Sequence, residues 1–201
     1  SQATGEMGVQ QPSTVISNTT LYVIQLLNLA NGLGQNLATE HDWQEFNKEY
    51  RFTTVFYQYT ATTTSGSTTI SSMSSTTGLT ATPTYFMVTG TGINQDTYLV
   101  SVNGGGSSAV LSQAATATGS VTLTFAQVMY TLPSDYDRLI DKTDWSKTQH
   151  WEMLGPETAQ EWQWLKSGYI STGPRIRYRL LGSLFQIWPP QSANLYLGFE
   201  Y

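Results

Sequence analysis

The sequence predicts an α+β fold: N-terminal helices packed with a C-terminal β-meander and short helices, interrupted by an inserted small all-β module of sandwich or barrel type. Three observations predict it. Near the N-terminus apolar residues recur at three- and four-residue steps, the mark of a helical stripe. From Phe52 to Thr131 the chain carries one charged side chain, Asp96, and reads as short Thr-, Val- and Tyr-rich runs punctuated by Gly and Ser. From Tyr130 to Tyr201 it turns aromatic and carries most of the chain's basic residues, with five of the six tryptophans and three further strand patterns. The implied organisation is a flexible or extended arm over 1–17, an α+β body built from 18–51 plus 128–201, and an inserted β module over 52–127.

The arm, SQATGEMGVQQPSTVIS, has neither the basic start nor the apolar core of a secretory signal. It reads as a polar segment that a partner orders. Asn18 or Thr19 can cap the first helix, because a short side-chain oxygen satisfies backbone N–H groups that lack an intrahelical partner. Leu21, Ile24 and Leu27, with Leu26, Ala30 and Leu33, then form a stripe expected to be buried, and Gly32 and Gly34 loosen the end. A second short helix is expected over Asp42 to Tyr50, with Trp43, Phe46 and Tyr50 turned inward.

The β module is expected from FTTVFYQYTATTT, STTISS, TYFMVTG, DTYLVSV, SAVLSQ and GSVTLTF, separated by Ser-Gly, Gly-Thr-Gly, Asn-Gly-Gly-Gly and Thr-Gly. Thr suits the exposed face of a pleated sheet. Alternation assigns Tyr98, Val100, Val102 and Val110, with Leu123 and Phe125, to the inner face. The run Gly104-Gly105-Gly106 lacks the Lys-Ser/Thr partner of a phosphate loop and reads as a hairpin connection.

In the third segment, after a strand over Val128–Leu132, Pro133 and Ser134 open a short helical turn, with Ser134 and Asp137 at capping-box spacing. Pro156 takes the first position of a helix ending at Lys166 and Ser167-Gly168, and Glu157 and Lys166 oppose its dipole at either end. Strands over Arg175–Leu181, Leu184–Trp188 and Leu195–Tyr201 follow, broken by Gly182-Ser183 and Pro189-Pro190.

Composition narrows the function classes. Charged residues are 11% of the chain, under half the usual share of roughly 25%, while aromatics are 12%. That combination fits a β-rich protein, or one whose surface is consumed by neighbours, and not a solvated disordered chain. A net charge of −5 opposes whole-molecule attraction to nucleic acid or anionic membrane. With no Cys there is no disulfide framework, thiolate metal site or thiol nucleophile. No apolar run approaches the roughly 18–20 residues of a membrane helix.

The stretches LPSDYDRLIDKTDWSK, LGPETAQEWQWLKSG, RIRYRLLGSLFQIWPP and LYLGFEY together resemble the head-to-tail adaptor (connector) proteins of tailed bacteriophages. That family shares an LPxDFxRL turn, a GPxSPQxWQ-like helix start and a closing β-meander; here Tyr136 stands where Phe is common and Thr158-Ala159 replaces Ser-Pro. VTGTGINQDTYLVSV, VLSQAATATG and VTLTF are similar to a β module inserted in phage structural proteins. The resemblance implies a homo-oligomeric, dodecameric ring docked between the portal protein and a downstream tail or nozzle protein. Such a ring lengthens the DNA channel and contacts packaged DNA without sequence preference. The implied place is the virion neck or tail, reached from the host cytoplasm during assembly, with no membrane partner.

Arg175, Arg177 and Arg179 alternate with Ile176, Tyr178 and Leu180, which puts three guanidinium groups on one face of a strand. Two readings stay open: a solvent face paired with Asp135, Asp137, Asp141 or Glu200, or a basic band against DNA phosphate or the portal. Trp162 and Trp164, two apart on a helix, cannot both face inward, so one is a candidate for a subunit interface. Tyr136 and Arg138 of the LPSDYDRL motif join them as interface candidates.

An enzyme is not expected, nor a cofactor or metal. Asp135, Asp137, Asp141 and Asp144 form one acidic group and Glu157 and Glu161 another, but capping and Arg pairing explain them without catalysis. His41 and His150 form no metal motif, and no G-x-S-x-G elbow occurs. Two alternatives from other classes remain: a β-rich adhesion or carbohydrate-binding module, and a tail-associated peptidoglycan glycosidase using the acidic group.

Overall fold

The structure, a computed structural model, describes residues 14, 18–41, 43–80, 85–103, 106–167 and 175–201. The expected arm over 1–17 therefore lies outside the described residues except for Thr14, as do Gly104, Gly105 and Gly168. Among the described residues there are thirteen strands and two helices, in four antiparallel sheets. The α+β expectation is overturned: the molecule is mostly β.

The chain divides into two compact units, Ser1–Asn47 and Lys48–Tyr201. The first holds α1, Leu21–Glu40. Its N-cap is Thr20, whose side chain makes no capping bond; the Asn18 carboxamide instead accepts from Thr20 N–H at 2.9 Å. Gly32 and Gly34 do not end the helix, whose turns run on to Glu40. The stripe expected to be buried is not: Leu21 and Leu33 are more than half exposed, Ile24, Leu27 and Ala30 are exposed, Leu26 is half-buried, and the helix's one buried residue is Val23. Periodicity shows which side of a helix is apolar, not whether anything covers it. The expected second helix is absent too. A turn at residues 44–46 gives way to strand β1, whose Tyr50 and Phe52 are shielded on alternate positions.

The second unit contains two apolar clusters. β1 (Glu49–Thr53) pairs with the final strand β13 (Tyr196–Glu200), Phe52 opposite Leu197. β9 (Trp145–Ser146) and β10 (Trp151–Glu152) complete that four-stranded sheet. A second sheet orders β11 (Arg177–Leu181), β12 (Leu184–Trp188) and β8 (Met129–Thr131). Gly182 turns β11 into β12 at φ +57°, a left-handed backbone that glycine adopts without strain. Both sheets bury their inner faces against each other's aromatics. Phe185 stacks on Tyr178 at 4.9 Å and on Phe199 at 5.1 Å, and meets Phe52 edge-on at 5.6 Å. These separations suit offset and edge-to-face ring packing.

The remaining strands surround the second cluster. One sheet orders β2 (Phe56–Thr63), β7 (Gly119–Gln127) and β4 (Phe86–Thr89); the other orders β3 (Thr69–Ile70), β6 (Ala109–Leu111) and β5 (Leu99–Val102). Ala61, Ile70, Phe86, Leu99, Leu111, Leu123 and Phe125 fill the space between them. The inward face expected on β5 is off by one residue. Leu99 is buried and Val100 is 52% exposed, because a register irregularity between Leu99 and Ser101 breaks the alternation. On β6 the buried residues are Ala109 and Leu111, and Val110 is only partly covered.

α2 (Ala159–Lys166) starts three residues later than Pro156 suggested. Thr158 is its N-cap: the Thr158 hydroxyl accepts from Glu161 N–H, and the Glu161 carboxylate accepts from Thr158 N–H. Pro156 precedes the helix instead of opening it. Likewise the Ser134–Asp137 capping box is a single turn, with Tyr136 N–H donating to Pro133 O at 3.1 Å.

Candidate functional site

The two clusters of the second unit meet at a hydrogen-bonded crossing. Thr54, fully buried, has its hydroxyl on Ala193 O at 2.7 Å and accepts from Leu195 N–H at 2.7 Å. The Tyr130 hydroxyl donates to Gln127 O at 3.0 Å and accepts from Val55 N–H at 3.1 Å. Gln127 N–H donates to Val55 O at 2.9 Å. The chain thus leaves one cluster through 54–55 and returns through 127–128 along paired backbone. Burial pushes the Tyr130 hydroxyl well above its usual titration range, so it stays a neutral hydroxyl that can donate and accept.

On one side of this crossing the loop between β4 and β5 approaches α2. Asp96, the lone charge of its tract, sits at φ +58° and pairs with Lys166 Nζ at 3.1 Å. Lys166 also lies over the Tyr98 ring at 5.2 Å. Gln95 Nε2 reaches Leu165 O at 3.4 Å. The Gln113 carboxamide donates to Gln95 O and Asp96 O, each at 3.1 Å, and the Thr97 hydroxyl donates to Asn94 O at 2.7 Å. A loop held at so many points is preformed.

Between this loop and the end of β12 lies an open cleft of about 510 Å³. Met87, Ile93, Trp188, Pro189 and Pro190 give it apolar walls, while Asn94, Gln95 and Asp96 supply polar groups. Gln95 Oε1 is buried with no hydrogen-bond donor among the described residues. Apolar walls with few, fixed polar groups are the usual make-up of a recognition cleft. Compared with protein-family models, curated proteins and solved structures, the chain matches none.

Sequence reasoning passed over this cleft, although two signals pointed to it. Asp96 is the only charge across eighty residues, and Pro189-Pro190 is the one proline pair of the chain. Their juxtaposition needs the fold, since they lie over ninety residues apart.

The three arginines do not form a uniform band. Arg177 pairs with Glu157, whose side chain is 9% exposed. It is also covered by residues 154–157, which run beside β11: Leu154 N–H donates to Ile176 O at 2.8 Å and Glu157 N–H to Tyr178 O at 2.9 Å. None of the four acids expected to pair with the strand does so at Arg177. Arg175 and Arg179 have no ion-pair partner among the described residues, Arg175 exposed and Arg179 half-buried.

Trp162 is buried at 5% exposure and Trp164 is 60% exposed. Trp162 belongs to the aromatic core, which leaves Trp164 as the outward member of the pair. Tyr136 is half-buried, packed on Phe199 and Tyr201 at 6.3 and 5.9 Å, and Arg138 is exposed in the irregular segment that follows.

The acids are dispersed among structural tasks. Asp135 pairs with Lys48 and accepts from the Tyr201 hydroxyl at 3.0 Å. Glu161 caps α2 and Glu157 holds Arg177. Among the described residues, no cluster of three or more His, Cys, Asp or Glu side chains is placed to hold a metal ion. No described helix is long and apolar enough to cross a membrane.

Asp144 is the exception. It is 4% exposed, and burial, with Glu152 and Asp141 nearby, pushes its carboxyl up to about 6. A folded-state value above the unfolded one means that the folded chain binds the proton more tightly. Its stabilising effect is thus complete below about 4 and is lost as pH rises through about 6. Acting the other way, hydrogen bonds from Arg51 and Lys147 hold Glu49 down to about 2, and Lys48 lowers Asp135. Those contributions vanish as the medium becomes strongly acidic. From these groups, stability should therefore peak at about pH 4–4.5 and decline as pH rises through about 6. In urea titrations Asp144→Asn should gain on the order of 1–2 kcal/mol at pH 8 and flatten the decline above pH 5. An unchanged decline would assign it to another group.

Proposed function

We propose that the chain is a non-enzymatic structural subunit of a tailed-phage neck. It forms a ring with copies of itself between the portal and the tail and extends the DNA channel. The observation that carries this reading is apolar surface left without cover in a chain with few charges. Leu29, Leu33 and Leu37 of α1 are 56–61% exposed, and Trp164 is 60% exposed. Soluble monomers rarely leave contiguous apolar areas beyond a few hundred Å² facing water, and larger ones mark association surfaces. The resemblance of LPSDYDRL, GPETAQEWQW and RIRYRLLGSLFQIWPP to phage adaptors names the kind of assembly.

Within the reading, DNA contact falls to Arg175 and Arg179, with Arg177 committed to Glu157. Repeated around a ring, such a pair contributes salt-sensitive attraction to phosphate without reading bases.

The test is mass. Light scattering and native mass spectrometry at tens of micromolar protein, alone and with portal rings, should give a closed oligomer many times the 22.2 kDa subunit. A particle that remains a subunit under both conditions overturns the reading.

A further inference from the structure

We propose that Asp144 is a proton-operated latch on the segment 141–153. With the proton in place the segment lies closed; without it the segment opens as a local unit while the sheets beneath stay folded. The inference is independent of the assembly reading. The segment holds β9 and β10, and its attachment is slight. β10 is the outermost strand of its sheet and pairs only with β9. β9 in turn meets β13 over two residues, Ser146 opposite Leu197 and Trp145 opposite Gly198. Lys142 and His150, on either side of β9, take left-handed backbone at φ +63° and +57°, an uncommon conformation for residues other than glycine. Gln149 Oε1 is buried without a hydrogen-bond donor among the described residues. Few bonds and local strain mark the part of a fold that opens first.

Asp144 stands at the foot of this hairpin, where its backbone carbonyl accepts from Met153 N–H at 2.9 Å, and it is 4% exposed. The charged groups that act on its carboxyl are Glu152 of β10 and Asp141 of its own loop, both acids. From β11 the Tyr178 hydroxyl belongs to the same set: burial raises its titration first, then Asp144, Asp141, Tyr136 and Glu152. The cations of these elements are engaged elsewhere or turned away. Lys147 pairs with Glu49, and Lys142 and His150 are exposed. Arg177 and Arg179 lie on the face of β11 opposite Tyr178, and Arg177 pairs with Glu157. On the adjoining β13, Glu200 shares the face of Gly198 and Trp145, away from Asp144. Losing its proton therefore leaves Asp144 as a buried anion beside two other acids, which the folded chain disfavours. Opening returns the carboxylate to water and parts it from Glu152. Trp145 and Trp151 ride on the segment, so the proton sets how firmly an exposed aromatic patch is held.

The closed segment holds the proton up to about 6, against an ordinary 3.8, so its hold is full below about pH 4 and is lost as pH rises through about 6. Between about pH 5 and about pH 7.5 the opening equilibrium should rise about tenfold, and then level off. Amide hydrogen exchange, expressed relative to unstructured-chain rates at each pH, reads this at Met153 N–H. Ile187 N–H of β12, bonded to Val128 O at 2.9 Å, is the core reference. Met153 should be less protected than Ile187 and lose about tenfold of its protection over that range. Low urea should leave Met153 exchange unchanged and speed that of Ile187, because only global unfolding exposes much surface. Asp144→Asn, uncharged at every pH and nearly the same size, should abolish the pH change at Met153. Glu152→Gln removes one neighbouring charge but not the burial, and should keep most of the change. Flat protection at Met153 overturns the proposal, as does a pH change that survives Asp144→Asn or disappears with Glu152→Gln. Met153 exchange that rises with urea as steeply as that of Ile187 would mean the segment unfolds with the core, and sinks the latch as well. The pH and urea arms use the unaltered chain, so they decide even where a variant does not fold.

Discussion

Phe185→Ala is expected to lower the unfolding free energy by about 3–5 kcal/mol, the range for removing a buried phenyl ring and leaving its cavity. Phe185 is 0% exposed and lies between three rings: stacked on Tyr178 and Phe199, and edge-on to Phe52. The four residues come from β12, β11, β13 and β1, so the ring joins two sheets and no neighbour can collapse into the void without moving a strand. Domain stabilities are commonly about 5–15 kcal/mol, so the variant should sit close to unfolding at ambient temperature. Denaturant titration with an unchanged slope is the measurement. A loss below about 1 kcal/mol would mean that Phe185 is not at the centre of this core.

Gly155→Ala is expected to cost about 2–4 kcal/mol, through collision as well as backbone strain. A Cβ there would sit 2.5 Å from Tyr178 O and 2.9–3.0 Å from two carbons of the Tyr178 ring. Relief requires moving β11, which is bonded on its other side to β12 with Tyr178 opposite Ile187. Gly182→Ala is the control. Its φ is +57° but the space around it is open, so only the left-handed strain of about 1–2 kcal/mol applies. If both substitutions cost the same, the close approach of residues 154–157 to β11 is not as described. If they differ as expected, the glycine of the GPETAQEWQW motif is required for packing, not for a subunit contact.

Much of the β architecture was legible in the sequence, because alternation and turn chemistry act over a few residues. The runs quoted for the β module contain β2 to β7, and the aromatic segment contains β8, β11, β12 and β13. The opposition of Trp162 and Trp164 followed from helix geometry alone. The helical periodicity of Leu21–Leu33 was equally visible, yet it led to a wrong fold class, because a stripe does not reveal whether it is covered. Aromatic residues from Trp43 to Tyr50 suggested a helix where β1 pairs with β13; the competing signal lay 150 residues away in the closing strand.

The sequence by itself determined local matters: where strands start and stop, that two tryptophans two apart diverge on α2, and that one uncharged tract contains a solitary aspartate. Only the tertiary structure decided who meets whom. It gave Arg177 to Glu157 and Asp96 to Lys166, displaced the inward residue of β5 to Leu99, and set Pro189-Pro190 against Gln95 to form a cleft. The physical reason is range. Backbone preference and side-chain period are properties of neighbouring residues, whereas ion pairing, register and cavities depend on closing long loops, and their free energies exist only once distant segments are already side by side.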